Sequence, residues 1–147
     1  MDLVFELVKE NGAQSLKSVI EDSGAALDSE SAREFLRGAG NLAFAAKLGG
    51  EVVGLAYGYV LTRLDGKGPQ FHIYSVDVHS GHRNKGIGSG LVRFVADYAR
   101  ENGFSECFVI TEKSNGSACR VYEKAGGKSE FEDEIVYVMD FEKEEFQ

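Results

Sequence analysis

The chain has 147 residues, the length of one domain, and a chain of that size buries about two-thirds of the surface its unfolded form exposes. Hydrophobic residues are 43% and charged ones 27% of the total, so a packed globular domain spanning 1–147 is expected rather than a disordered segment. The 24 acidic and 16 basic side chains leave a net charge of −8, which disfavours nucleic acid as a partner and slightly favours cations.

Leu3, Phe5 and Leu7 alternate with polar or small neighbours and predict a first strand. Asn11 to Asp22 carries Leu16, Val19 and Ile20 at helical spacing. Asp28 or Ser29 is placed to cap a second helix running through Arg37, with Phe35 and Leu36 facing inward. Gly38 and Gly40 end it. Asn41–Leu48 and Glu51–Arg63 are β-rich runs joined by Gly49-Gly50, a hairpin signal. A loop follows over Leu64–Pro69, then a strand over Gln70–His79. A glycine-rich turn leads into a helix from about Gly88 to Asn102, whose Leu91, Val92, Val95 and Ala99 form one apolar stripe. Ser105–Thr111 is another strand, Asn115–Ala125 a short helix, and Ser129–Glu132 with Ile135–Phe141 a last pair of strands. The order β-α-α-β-β-β-α-β-α-β-β implies an α/β (α+β) fold, with a mixed sheet of seven strands and helices on both faces.

No apolar run approaches the roughly 18 residues of a membrane span, so no membrane partner is expected. The opening MDLVFELVKENG has no small-residue cleavage site, and a cytoplasmic location is expected. Cys107 and Cys119 read as free, inert thiols, and the chain has no clustered His/Cys spacing, so no metal is expected.

The turn from Val76 to Gly90 lies between a strand and a helix start. Unpaired N–H groups at a helix N-terminus attract phosphate, and glycines allow close approach. Ile87-Gly88 follows Gly86 where a Walker A loop needs Lys-Ser/Thr, and the spacing is not that of a dinucleotide fingerprint. A plain glycine-rich connection is the alternative. Arg83-x-x-Gly86-x-Gly88, however, matches R/Q-x-x-G-x-G/A, and Asn115-x-x-Ala118-x-x-Val121-Tyr122-x-Lys124-x-Gly126 matches N-x-x-A-x-x-L/F-Y-x-K-x-G-F, with Gly127 in place of the usual Phe. With these two motifs and the strand order, the chain resembles the GNAT superfamily of acyl-CoA-dependent N-acyltransferases. The resemblance implies a GNAT-like, mostly antiparallel sheet and acetyl-CoA as the donor.

It also implies roles for particular residues. The loop Arg83, Asn84, Lys85, Gly86, Ile87, Gly88 and Ser89 would cradle the coenzyme A pyrophosphate. The strand end Val76-Asp77-Val78 would splay from its neighbour, its free backbone pairing with the pantetheine arm and the Val78 amide contacting the thioester oxygen. Asn115 would hold the pantetheine or cap its helix, Ala118 would also belong to the coenzyme-binding set, and Tyr122 would sit near the coenzyme sulfur, its hydroxyl placed to protonate the leaving thiolate.

Acetyl transfer also needs a neutral amine. On an alternating strand Phe71, Ile73, Ser75 and Asp77 share one face, which makes Asp77 a candidate base; pairing with Arg83 or His79 is the equally weighted alternative. Glu112 is a second candidate base. Leu42–Ala46, Val52-Val53-Gly54, Tyr59-Val60-Leu61 and His72–Val78 followed by His82-Arg83 resemble the type I aminoglycoside 3-N-acetyltransferases, although the aspartate of that subgroup's strand falls on Ser75 here. This resemblance implies a polycationic amine as acceptor, an aminoglycoside 3-amino group first, with a peptide or lysine amine or a polyamine as the alternative and a coenzyme A-binding sensor as the rival class. Ser75, Asp77, Glu112 and the acidic run Glu132, Asp133, Glu134 would bind its ammonium groups, with Glu30 and Glu34 lining the opposite wall; a solvated hairpin is the other reading of the run. A homodimer is expected from family habit alone.

Overall fold

The computed structural model describes residues 2–130 and 133–142. Its elements run β1 (Leu3–Leu7), a 3-10 stretch (Glu10–Leu16), α1 (Lys17–Asp22), α2 (Ser29–Arg37), β2 (Asn41–Leu48), β3 (Glu51–Leu61), β4 (Gln70–Val78), a 3-10 turn (Ser80–His82), α3 (Ile87–Glu101), β5 (Glu106–Val109) and α4 (Gly116–Lys124). The sheet follows chain order, with β1 to β4 antiparallel and β5 added parallel to β4 after the α3 crossover.

Each sheet face has its own core. The expected stripe of α3, Leu91, Val92, Val95 and Ala99, is buried, and its first three members pack in one cluster with Phe44, Phe71 and Ile73. Leu91 and Val95 are wholly enclosed, and burying such a side chain stabilises the fold by about 1.5–3 kcal/mol. On the opposite face Leu16 and Val19 cover Ala43, Ala45, Val52 and Leu55, with Phe35 and Leu36 of α2 at the margin. Asp28 caps α2, its carboxylate accepting from the Glu30 and Ser31 N–H groups at 3.1 and 3.4 Å.

Three expectations are corrected. The helix expected over Asn11–Asp22 is a 3-10 stretch followed by a short α1. Asn11 and Gly12 are poor helix formers, and the Ser15 hydroxyl donates to the Gly12 carbonyl at 2.6 Å. The described residues contain five strands, not seven, so the element order ends at α4. Ile135–Met139 forms no strand and its side chains are 70–81% exposed. Five apolar residues in a row lack the alternation that gives a sheet strand one buried and one wet face. Glu132, expected in the preceding strand, lies outside the described residues.

The third correction concerns β4 and decides where the site lies. Tyr57 pairs with Ser75, but its neighbour Gly58 pairs with Ile73, so Tyr74 is an extra residue, a β-bulge. Only glycine fits at 58, because a Cβ there would overlap the His72 carbonyl. The inserted residue breaks the alternation. Phe71, Ile73, Val76 and Val78 pack into the core beneath α3, whereas Ser75 and Asp77 lie across from Tyr57 and Leu55 on the α1–α2 face. Phe71, Ile73, Ser75 and Asp77 therefore do not share one face.

Candidate active site

The site begins at a gap in the sheet. β5 pairs with β4 only from Gln70 to Ile73. Beyond it, the pairing with β3 fixes which backbone groups face the gap. His79 N–H donates to Val53 O at 2.8 Å, so 53/79 and 55/77 are the hydrogen-bonded pairs of the antiparallel ladder. The intervening residues Val76 and Val78 turn their N–H and C=O groups away from β3, toward the gap. Arg83 Nε donates to the Val78 carbonyl at 3.2 Å, and the Val78 amide faces the same opening.

The loop after β4 delivers α3 to that opening. Asn84 adopts φ 62° and Gly86 φ 78°, left-handed conformations that bend the chain sharply into the helix. Gly86 offers no capping side chain, and the first intrahelical bond is from Gly90 N–H to Gly86 O at 3.0 Å. The N–H groups of Ile87, Gly88 and Ser89 therefore have no partner within the helix. Across the opening, Asn115 caps α4, its side-chain oxygen accepting from Ala118 N–H at 3.1 Å. Gly88 faces Val121 and Val78, at distances where a Cβ would make ordinary van der Waals contact. Arg93 Nη2 donates to the Lys124 carbonyl and ties α4 to α3.

Between α3, α4 and the end of β4 lies a cleft of about 670 Å³. Of the residues expected to hold the donor, Val76, Val78, Arg83, Asn84, Gly86, Ile87, Gly88, Ser89, Asn115, Ala118 and Tyr122 line it, together with Asp77; Lys85 is exposed and does not. Sequence reasoning missed His82, Ser117, Arg120, Val121 and Lys124. The signal was present on α4, where 117, 120, 121 and 124 have the three- and four-residue spacing of one helix face. Buried His82 Nδ1 has no hydrogen-bond partner among the described residues. Three cations (Arg83, Arg120 and Lys124) against one acid make this cleft basic in a chain of net charge −8.

Asp77 accepts from the Ser75 hydroxyl at 3.0 Å. The basic residues weighed as its partners face another acid. Asp22, at the end of α1, accepts from Ser80 N–H at 2.9 Å and Ser80 Oγ at 2.7 Å, with His79 Nε2 at 3.7 Å and Arg83 Nη2 at 4.0 Å. The Ser80 hydrogen bonds above all, then His79 and Arg83, hold its carboxyl below the ordinary 3.8. Burial, then the Asp77 charge and Cys119, push the Tyr122 hydroxyl above its usual 10, so it stays protonated at neutral pH. Cys107 is likewise pushed up by burial, as an unreactive thiol is.

A second cleft, about 360 Å³, opens on the α1–α2 face. Leu27, Ala32, Phe35, Leu55, Tyr57 and Tyr59 are among its walls, and Asp28 and Asp77 are the acids that line it. Asp77 thus belongs to both clefts. The other acids expected at the acceptor lie elsewhere. Glu30 is ion-paired with Arg33 at 3.0 Å and Arg37 at 3.6 Å, and Glu34 lines neither cleft. Glu112 also lines neither; its carbonyl accepts from Asn115 N–H at 3.0 Å and Cys119 Sγ at 3.6 Å. Asp133 and Glu134 are exposed and line neither, and Glu132 lies outside the described residues.

Comparison with known proteins places this geometry. The model of the acetyltransferase (GNAT) family matches residues 9–127. N-acetyltransferase family 8 member 2 of Rattus norvegicus is 31% identical over 81 residues, which is 55% of this chain and 36% of that protein. The chain thus spans little more than a third of that relative's length. An aminoglycoside acetyltransferase from an uncultured soil metagenomic sample, in complex with sisomicin, has the same fold at TM-score 0.81 and 23% identity, covering 94% of this chain and 97% of that one. Aminoglycoside N-acetyltransferase AAC(6')-Iy, in complex with CoA, aligns at TM-score 0.77 and 15% identity over 95% of both chains. Where such a neighbour's name gives a position it is 6′, so the likeness is not specific to the 3-N-acetyltransferases. No helix among the described residues is long and apolar enough to cross a membrane. GNAT acetyltransferases use acetyl-CoA, and the residues present fit it: partnerless helix N–H groups, three cations and an orphaned histidine nitrogen meet at the mouth of a cleft that continues to the open edge of β4. The chain belongs to the acetyltransferase (GNAT) family.

Proposed function

We propose that this chain is an acetyl-CoA-dependent N-acetyltransferase that moves the acetyl group directly to an amine of a cationic small molecule, with an aminoglycoside as the first acceptor to test and its 3-amino group as the expected position. The observation that carries the reading is Asp77, a carboxylate lining both the basic cleft and the apolar one. Bound acetyl-CoA supplies the acetyl group as a thioester that an amine can attack. The residues of the chain do the rest. Arg83, Arg120, Lys124 and the first N–H groups of α3 bind the phosphates. The Val76 and Val78 backbone orients the arm, and the Val78 N–H is positioned to donate to the thioester oxygen. Asp77 takes a proton from the incoming ammonium, directly or through water, steadied by the Ser75 hydroxyl. Tyr122, kept protonated, would give its hydroxyl proton to the departing thiolate and be reprotonated by the second proton that the amine nitrogen sheds as the amide forms.

Of the two candidate bases, Asp77 is assigned this role and Glu112 is not, because only Asp77 lines the clefts. Support for the aminoglycoside comes from the fold neighbours and the sequence resemblance. The reaction is taken to run in the cytoplasm, and a homodimer is retained as part of the proposal. Thiol release from acetyl-CoA tests the reading, with sisomicin, kanamycin, spermidine and short peptides as acceptors. Turnover with an aminoglycoside, and acetylation mapped to the 3-amine, is the expected result. Turnover with peptide or polyamine alone would move the acceptor. Binding of acetyl-CoA without turnover of any amine would leave a coenzyme A sensor.

A further inference from the structure

We infer that the acceptor is a primary amine carried on a ring with an apolar face, which lies against an aromatic shelf made by Tyr57, Tyr59 and Tyr74 while its ammonium meets Asp77. This narrows the acceptor of the reading above and rests on it for the catalytic use of the site. The shelf is a product of the bulge. Tyr74, the extra residue in β4, is 60% exposed, yet its ring lies 5.8 Å from Tyr57 and 5.5 Å from Tyr59. Phe35 of α2, a wall of the same cleft, meets both of those rings edge-on, at 5.4 and 5.8 Å. His72 meets Tyr74 edge-on at 6.1 Å and is itself stacked on Phe108 at 4.7 Å. Tyr74 is not itself a wall of the apolar cleft, but its largely exposed ring extends the aromatic surface that Tyr57 and Tyr59 give that cleft.

Charge sets the rest of the specificity. Among the described residues, two carboxylates line the apolar cleft, Asp28 and Asp77, and no basic side chain does. Asp28 is committed to α2, where it accepts from two backbone N–H groups and from Ser31 Oγ at 2.9 Å. That leaves Asp77 for one ammonium. A linear polyamine has no ring face to lay on the tyrosines, so it gains the single Asp77 contact alone. A ring amine instead stacks its C–H or π face on tyrosine and keeps its other polar groups at the wet rim. Aminocyclitol sugars and aromatic amines share that chemistry.

Calorimetric titration of the full chain tests this without turnover, using sisomicin, tyramine and spermidine as probes. At least one of the two ring amines should bind, and spermidine should bind at least tenfold more weakly. Which ring amine binds identifies the source. Tyr74→Ala should weaken the ring amine about tenfold and Tyr74→Phe should restore it; the exposure of residue 74 makes both substitutions compatible with folding. Spermidine binding as tightly as the ring amines, no binding of either ring amine, or an unchanged affinity in Tyr74→Ala would overturn the inference. Thiol release measured on the same samples keeps the two claims apart. Ring-amine binding without thiol release refutes the acetyltransferase reading and leaves this one standing.

Discussion

The two clefts that share Asp77 are made of different materials. The basic one is built mostly from backbone and from cations: the outward-turned amides of β4, the partnerless first turn of α3, and Arg83, Arg120 and Lys124. The apolar one is built from side chains, with tyrosines, Phe35 and aliphatic residues around Asp77, which accepts from the Ser75 hydroxyl. Backbone N–H groups are the same whatever the sequence, so the first kind of site can be kept for one phosphate-bearing donor while the second is redrawn residue by residue. On the proposed reading, acceptor choice rests on a few side chains of α2, β3 and β4.

The sharpest way to break this comparison is at the shared residue. Asp77→Asn keeps size and the Ser75 hydrogen bond but removes the base. It should lower kcat about a thousandfold for every acceptor, within the range expected of general-base loss. KM for acetyl-CoA should stay within about twofold. A loss of acetyl-CoA binding instead, measured by calorimetry, would assign Asp77 to the donor side alone. Tyr122→Phe comes next, with kcat down about a hundredfold. The pH profile gives the sign. The Tyr122 hydroxyl is pushed above 10, first by burial, then by Asp77 and Cys119, so its proton is retained below that value and lost only above it. The wild-type rate should show no alkaline fall below pH 10 from this group, and Tyr122→Phe should lower the plateau without moving the acid limb.

The clefts also differ in how far the sequence reveals them. The basic cleft is local in sequence: loop, helix start and the Asn115–Gly126 motif are short stretches whose spacing carries their geometry, and all but Lys85 of the expected donor residues line it. The apolar cleft joins residues 16–36 to 43, 55–59 and 77, and no local pattern marks such a junction. One residue also defeated the strand alternation. Tyr74 looks like an ordinary strand position, and only its pairing across from Gly58 reveals the bulge that carries Asp77 to the other face. Among the described residues, the acids expected around the acceptor, Asp77 apart, do not line the clefts, for a related reason. Composition counts Glu30 as a free charge, whereas Arg33 and Arg37 neutralise it on its own helix. The last two strands were expected from β-rich composition, but composition does not supply the register that pairing needs.

A smaller effect sharpens the comparison from the donor side. Arg120→Ala removes one cation from the basic cleft, and a hydrogen bond to a charged group contributes about 1.5–3 kcal/mol. KM for acetyl-CoA should rise about tenfold, and more steeply in low salt than in high, because screening weakens what the arginine contributes. The affinity for the ring amine should not change. Parallel titrations of donor and acceptor check this, and a matching loss in both would mean that the clefts are not energetically separate.

The smallest effect is expected where the two regions are tied together. Asp22 ends α1, a wall of the apolar cleft, and holds Ser80, the first residue of the turn that leads to Arg83 and the basic cleft. Its side chain is 17% exposed, so it is partly wet and screened, and Asp22→Asn should lower Tm by only a few degrees at neutral pH. The sign of the pH dependence follows from the hydrogen bonds. Ser80 above all, then His79 and Arg83, hold the folded carboxyl below the ordinary 3.8, so its stabilisation is present above that pH and disappears as the pH falls through the folded value. The melting curves of wild type and Asp22→Asn should therefore converge in acid. Because the aspartate joins both walls, KM for acetyl-CoA and KM for the amine should each rise by a similar small factor, about twofold. A rise in the donor KM alone would show that α1 follows the loop passively, and that the carboxylate at 77 is the sole link between the two clefts.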